Sequence, residues 1–172
     1  MSKKTVWEKL DEKQMAELMS FNQDYMNFLS ASKTERAFTI NAVKAAEAAG
    51  FVNLADVKEL HPGDRVYSTN KGKNFLAFII GEKPIREGMN LLGAHIDSPR
   101  TDIKQNPLYE SNGLCLMDTH YYGGIKKYQW VARPMALAGV VVKKDGTVID
   151  INIGDDDNDP VVGISDLLIH LA

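Results

Sequence analysis

From Val6 to Leu29 the apolar residues Leu10, Met15, Leu18, Met19, Met26 and Leu29 are separated by polar positions. Their spacing lies closer to the helical period than to alternation, which predicts one long helix or two short ones. Phe21, Tyr25 and Phe28 in the same stretch read as core positions. A second helix is predicted after Ser32-Lys33-Thr34-Glu35, which has the form of a capping box, and Gly50 supplies a left-handed stop after an Ala-rich run. Phe38, Ile40 and Val43 would form its buried face. After His61-Pro62-Gly63-Asp64, the turn Asn70-Lys71-Gly72-Lys73 separates two β-prone runs, Arg65 to Thr69 and Phe75 to Ile80, and predicts a hairpin. Leu91 to Ile96 is an apolar run bounded by the loop Glu82 to Asn90 and by Pro99. It predicts a strand buried on both faces.

Beyond Pro99 the texture changes to short β-prone pieces: Gly113 to Thr119, Ala138 to Lys143, and Thr147 to Ile153, the last two joined by the turn Lys144-Asp145-Gly146. The best single boundary falls near residues 98–100 and divides the chain into 1–99 and 100–172. There are no internal repeats. The acidic run Asp155-Asp156-Asp157-Asn158-Asp159 is no calcium loop, because Pro160 stands where the sixth-position glycine belongs and Asp166 where the closing glutamate belongs. It reads as a solvated turn.

Composition narrows the function. With 44% hydrophobic and 25% charged residues, the 172-residue chain can bury a real core. Its net charge of -3 is spread without a basic stripe, which argues against nucleic acid as a partner. No apolar run approaches the roughly 20 residues of a membrane span, and Met1 to Lys13 lacks the apolar segment of a signal peptide. A cytoplasmic protein is expected. Cys115 is the single cysteine, which excludes an internal disulfide framework and a cysteine-based zinc cluster; in Leu114-Cys115-Leu116 it reads as a small buried hydrophobe.

The sharpest chemical feature is His95-Ile96-Asp97 at the end of the apolar run. In an extended chain alternate side chains share a face, so imidazole and carboxylate would point the same way. Neutral imidazole ligates zinc, and a carboxylate receiving the other ring N–H fixes the tautomer. By spacing alone the pair also fits a structural histidine at a strand edge. Of the other histidines, His61 before Pro62 reads as exposed, His120 beside Tyr121 is ambiguous, and His170 reads as a polar position on a terminal helix. The chain has no phosphate-binding glycine loop, no Gly-x-Ser-x-Gly elbow and no His-Glu-x-x-His helix, so kinase, serine hydrolase and zincin readings fall away.

The segment Leu91-Leu92-Gly93-Ala94-His95-Ile96-Asp97-Ser98-Pro99-Arg100 resembles the first metal motif of the aspartyl-aminopeptidase family of dinuclear zinc metalloaminopeptidases. Tyr122 to Trp130 running into Leu137 to Val141, and Ile164 to Leu171, match that family in order and spacing. The resemblance implies an α/β protein. Part of an α/β/α zinc-peptidase catalytic domain (1–99) would be followed by part of an inserted β-rich dimerisation domain (100–172). It implies two zinc ions per site in the complete protein, peptide substrates and a homo-oligomer built through the inserted domain. His95 becomes a zinc ligand, Asp97 its orienting carboxylate, and His170 a catalytic histidine that reaches into the neighbouring subunit's site. The bridging carboxylate, the general-base glutamate and the remaining ligands would lie outside this chain. One His and one Asp cannot hold a zinc pair, since a catalytic zinc usually has three protein ligands. The isolated chain is therefore expected to be inactive, the alternative being a non-catalytic assembly module derived from such an enzyme. Where the family tends to have an Asp-Arg pair after the tryptophan, this chain has Ala132-Arg133, and Ile125-Lys126-Lys127 also departs. These differences point to a bacterial subgroup of broader or different specificity.

Overall fold

The computed structural model describes residues 3–164. The chain divides after Asp97 into two units, Met1–Asp97 and Ser98–Ala172. The first contains helices α1 (Glu12–Ala31) and α2 (Glu35–Ala48) and strands β1 (Val52–Asn53), β2 (Arg65–Asn70) and β3 (Asn74–Ile79).

Helix α1 starts at a reciprocal cap. Asp11 accepts from the Gln14 backbone N–H at 2.8 Å, while the Gln14 side chain accepts from the Asp11 N–H at 3.1 Å. A single-turn 3-10 helix, Trp7–Lys9, precedes it. The cap of α2 lies two residues later than Ser32-Lys33-Thr34-Glu35 suggested: Thr34 is the N-cap, accepting from the Ala37 N–H at 3.1 Å. Ser32 instead ends α1, and Asn41 of α2 reaches back to its Oγ at 3.1 Å and to the Ala31 carbonyl at 3.0 Å. The stop at Gly50 is a Schellman motif. Gly50 has φ +82°, its N–H donates to Glu47 O at 3.0 Å, and the Phe51 N–H donates to Ala46 O at 2.9 Å.

The buried face of α2 is Thr39, Ala42 and Ala46. Phe38 and Val43 are half-buried, and Ile40 is 52% exposed, which corrects the expected face. The three buried positions lie three and four residues apart on one stripe, and Ile40 is rotated off it. Phe38 meets Phe28 of α1 edge to face, with ring centroids 5.2 Å apart.

Strand β2 is central, parallel to β1 and antiparallel to β3, with Val66 opposite both Val52 and Phe78. The predicted hairpin is present. Its turn places Lys71 and Gly72 at φ +53° and +64°, closed by the Lys73 N–H on Asn70 O at 3.1 Å. Val66 is 1% exposed and Tyr67, on the opposite face, is also buried. The Tyr67 ring stacks on Phe75 at 6.1 Å, and its hydroxyl donates to Glu47 of α2 at 2.7 Å, tying helix to sheet.

That hydrogen bond, then burial, then the Glu47 charge, raise the Tyr67 phenol above its ordinary value of 10.0. A raised folded value means the contribution is fully present below the unfolded pKa and is lost as pH rises through the folded one. Stability of the first unit should therefore fall above pH 10.0. In Glu47→Gln the Tyr67 absorbance titration should move down, an outcome read by ultraviolet pH titration beside urea unfolding.

One element departs from expectation. Leu91 to Ile96 belongs to no strand, and Leu92 is 98% exposed. An apolar strand needs paired neighbours and cover on both faces, and no described strand pairs with this run.

The second unit consists of two hairpins, β4 (Arg100–Ser111) with β5 (Leu114–Tyr122) and β6 (Leu137–Val142) with β7 (Val148–Ile153). The sequence texture gave most of β5 but not β4. The register of β4 shifts between Ile103 and Leu108, where Pro107 cannot donate to the ladder. Cys115 is exposed on β5 opposite Glu110, not buried as expected, because both faces of this two-stranded ribbon are open near its tip. After β7 the acidic run forms the expected solvated turn, held by the Gly154 N–H on Asp159 Oδ2 at 2.9 Å.

Gly154 is required there. It has φ +102°, and a Cβ would meet Ala136 Cα at 3.0 Å and the carbonyl oxygens of Met135 and Pro160 at 3.3 Å. These are backbone atoms and cannot swing aside. Gly154→Ala should lower stability by about 1–3 kcal/mol, read as an earlier thermal unfolding midpoint.

Candidate metal centre

His95 and Asp97 lie at the end of the first unit, outside any helix or strand. Their contact is direct. His95 Nδ1 lies 3.1 Å from Asp97 Oδ1 and 3.0 Å from the Asp97 carbonyl oxygen. Both neighbours are acceptors, so the tautomer that satisfies them carries its proton on Nδ1. The lone pair is then on Nε2, and the side chain is 84% exposed, open to an incoming ligand. This is the preparation a zinc-binding imidazole needs: a fixed ring and a fixed tautomer. The pair forms the contact that its spacing suggested, but outside any sheet.

The donor set fits zinc as one ligand of several. Among the described residues no group of three or more His, Cys, Asp or Glu side chains is arranged to hold a metal ion. His170 lies outside the described residues. His61 is exposed, with Glu59 at 4.0 Å and Asp64 at 3.7 Å, and the Asp64 carboxylate also accepts the His61 backbone N–H at 2.7 Å. His120 stands on β5 opposite Asp102, its ring stacked on Tyr121 at 5.6 Å.

Sequence reasoning passed over what Arg100 does. Directly after the motif its guanidinium lies 4.1 Å from the centroid of the Tyr122 ring, and its Nε donates to Asp102 at 2.7 Å. Gly123 takes φ +75°, the left-handed region that favours glycine, with Pro99 at ordinary contact distance from it. The signal was available, since Arg100 and Asp102 are i and i+2 on one strand face. At the departure from the Asp-Arg pattern, Ala132 takes φ +54°, a left-handed conformation that Asp and Asn enter more readily than Ala. Its N–H donates to Ile164 O at 2.7 Å, beside the bridge between Val131 and Ile164.

The sequence model of the aminopeptidase I zinc metalloprotease (M18) family matches residues 28–172, and the chain belongs to that family. It is 51% identical over 173 residues to a probable M18 family aminopeptidase 1 of Clostridium acetobutylicum, covering 98% of this chain and 37% of that protein. A probable M18 family aminopeptidase 1 of Thermotoga maritima is 44% identical over 171 residues, with 99% of this chain and 37% of that protein covered. Among solved structures, aminopeptidase I from Borrelia burgdorferi B31 superposes with a TM-score of 0.90 at 43% identity, covering 96% of this chain and 41% of that one. Aminopeptidase I from Clostridium acetobutylicum gives 0.83 at 49% identity, covering 99% and 39%. The mixed α/β fold is thus that of M18 aminopeptidases, and the chain spans less than half the length of these relatives. Among the described residues no helix is long and apolar enough to cross a membrane.

Proposed function

We propose that the full-length protein is a cytoplasmic zinc aminopeptidase that hydrolyses the first residue from peptides, and that this chain carries one face of its metal site. The observation that carries the reading is the His95 Nδ1 to Asp97 Oδ1 contact of 3.1 Å, which leaves Nε2 as the ligating atom. When bound, zinc supplies Lewis acidity toward the scissile carbonyl and a nucleophilic water near neutral pH. His95 holds one of two ions, and Asp97 keeps its ring oriented by accepting the Nδ1 proton. His170 serves a neighbouring subunit's site, in a homo-oligomer formed through the segment after Ser98. The chain 1–172 alone is inactive, because the second ion's ligands and the general base are supplied by other parts of the protein. The replacement of the family's Asp-Arg pair by Ala132-Arg133 favours a broader or different preference for the first residue.

The test compares the full-length protein with the 172-residue chain on a panel of aminoacyl anilides, with and without zinc. Turnover by the full-length protein that a chelator removes and zinc restores is the expected result, with none from the chain alone. Chelator-sensitive turnover by the chain would overturn the division of the site. Absence of turnover in a zinc-loaded full-length protein would overturn the peptidase reading in favour of an assembly module.

A further inference from the structure

The tip of the β4–β5 hairpin is Asn112-Gly113, closed between the paired residues Ser111 and Leu114. Both take positive φ, +53° and +77°, the type I′ geometry of a two-residue turn, and both are exposed. The Gly113 N–H donates to the Glu110 carboxylate at 2.7 Å. A side-chain amide followed by a residue with no Cβ leaves the glycine nitrogen sterically free to attack, and here that nitrogen already shares its proton with a carboxylate.

We propose that Asn112 is the principal spontaneous deamidation site of this chain, with Glu110 acting as the base on the Gly113 amide. The Gly113 nitrogen attacks Asn112 Cγ and forms a new N–C bond. Its proton passes to Glu110 and on to the departing side-chain nitrogen, the Cγ–Nδ2 bond breaks, and ammonia leaves. Water then opens the cyclic imide at either carbonyl, giving aspartate or isoaspartate at position 112. No oxidant or cofactor is needed, only water.

The second Gly-containing hairpin turn supplies a contrast within the same unit. At Asp145-Gly146 the glycine N–H is held by the Lys143 carbonyl at 3.0 Å, and the Asp145 carboxylate accepts the Thr147 N–H at 2.9 Å. Thr147 keeps that carboxyl below its ordinary value of 3.8, first through its backbone and then through its side chain. An ionised carboxylate is a poor electrophile, and its glycine N–H is held by a carbonyl oxygen in place of a carboxylate. Asp145 should persist where Asn112 converts. Isoaspartate inserts an extra methylene into the backbone, which a two-residue turn cannot absorb, so conversion also loosens the hairpin.

The purified chain is aged at neutral pH and physiological temperature, beside Glu110→Gln, and both are followed by peptide mapping that separates aspartate from isoaspartate. Gln can still accept the Gly113 N–H but is not a base. Conversion at position 112 should outpace that at every other asparagine, Asp145 should stay unchanged, and Glu110→Gln should be slower by about fivefold, modest for general-base catalysis because an exposed carboxylate is weakly basic. An intact Asn112 while other asparagines convert, or equal rates in the two proteins, would overturn the assignment.

Discussion

In the full-length protein, Asp97→Asn is expected to weaken zinc binding or activity by about 10–100-fold, and His95→Ala to weaken both further. The reason lies in the side-chain hydrogen bond, since the Asp97 carbonyl oxygen at 3.0 Å from Nδ1 is kept in the variant. Asp97 can only accept, so at 3.1 Å it holds the Nδ1 proton in place and leaves the Nε2 lone pair for the metal. Asparagine has the same shape but can donate through Nδ2, and a donor facing Nδ1 favours the other tautomer. The share of the ring with its proton on Nε2 then rises, and in that tautomer ligation is blocked. His95→Ala removes the donor altogether. His95 is exposed, so its loss should not disturb folding, and circular dichroism of His95→Ala should show an unchanged spectrum. Zinc affinity measured by chelator competition, beside kcat/KM on an aminoacyl substrate, separates the two variants. Unchanged zinc affinity in His95→Ala would remove it from the ligand set.

How much of this was legible in the sequence depends on whether the deciding partner was local. Gly50 stopped α2 as expected because a Schellman motif is closed within the helix's own last turn. The β2–β3 hairpin was equally local, with its turn residues adjacent in sequence. The start of α2 was less so, since Ser32 and Thr34 are both competent N-caps; Ser32 was taken by the end of α1, where Asn41 secures it. The turn at Asn112-Gly113 is a strong hairpin signal that sequence reasoning passed over, and with it went β4, whose polar run Lys104 to Asn106 hides its strand character.

Burial was harder to read than secondary structure. Ile40, Leu92 and Cys115 are apolar and expected inside, yet all three are exposed. An apolar residue records that cover exists in the functional protein, without recording which segment supplies it. Leu91 to Ile96 states this most sharply: its composition demands neighbours on both faces, and no described strand pairs with it. The candidate metal pair was legible for the opposite reason. Two residues at i and i+2 meet without help from any other element.

Where cover is complete, the core should respond accordingly. Val66→Asp is expected to destabilise the first unit by at least about 3 kcal/mol, the scale of an unpaired buried charge. Val66 is 1% exposed on the central strand, flanked by Val52 on β1 and Phe78 on β3. Nothing among these neighbours is cationic, so an aspartate there must either lose its hydration or take up a proton. Against a typical domain stability of about 5–15 kcal/mol, that is a large share. Val66→Ala separates charge from volume, and should lose only about 2 kcal/mol for the methyl groups and the space they leave. The sign with pH is also fixed. A buried aspartate has a raised folded pKa, so the excess loss in Val66→Asp should shrink as pH falls and the side chain becomes neutral in both states. Urea unfolding of the two variants at neutral and acidic pH measures the difference. Equal losses at neutral pH would mean that water reaches position 66, and that the sheet of the first unit is not the dry core that its packing describes.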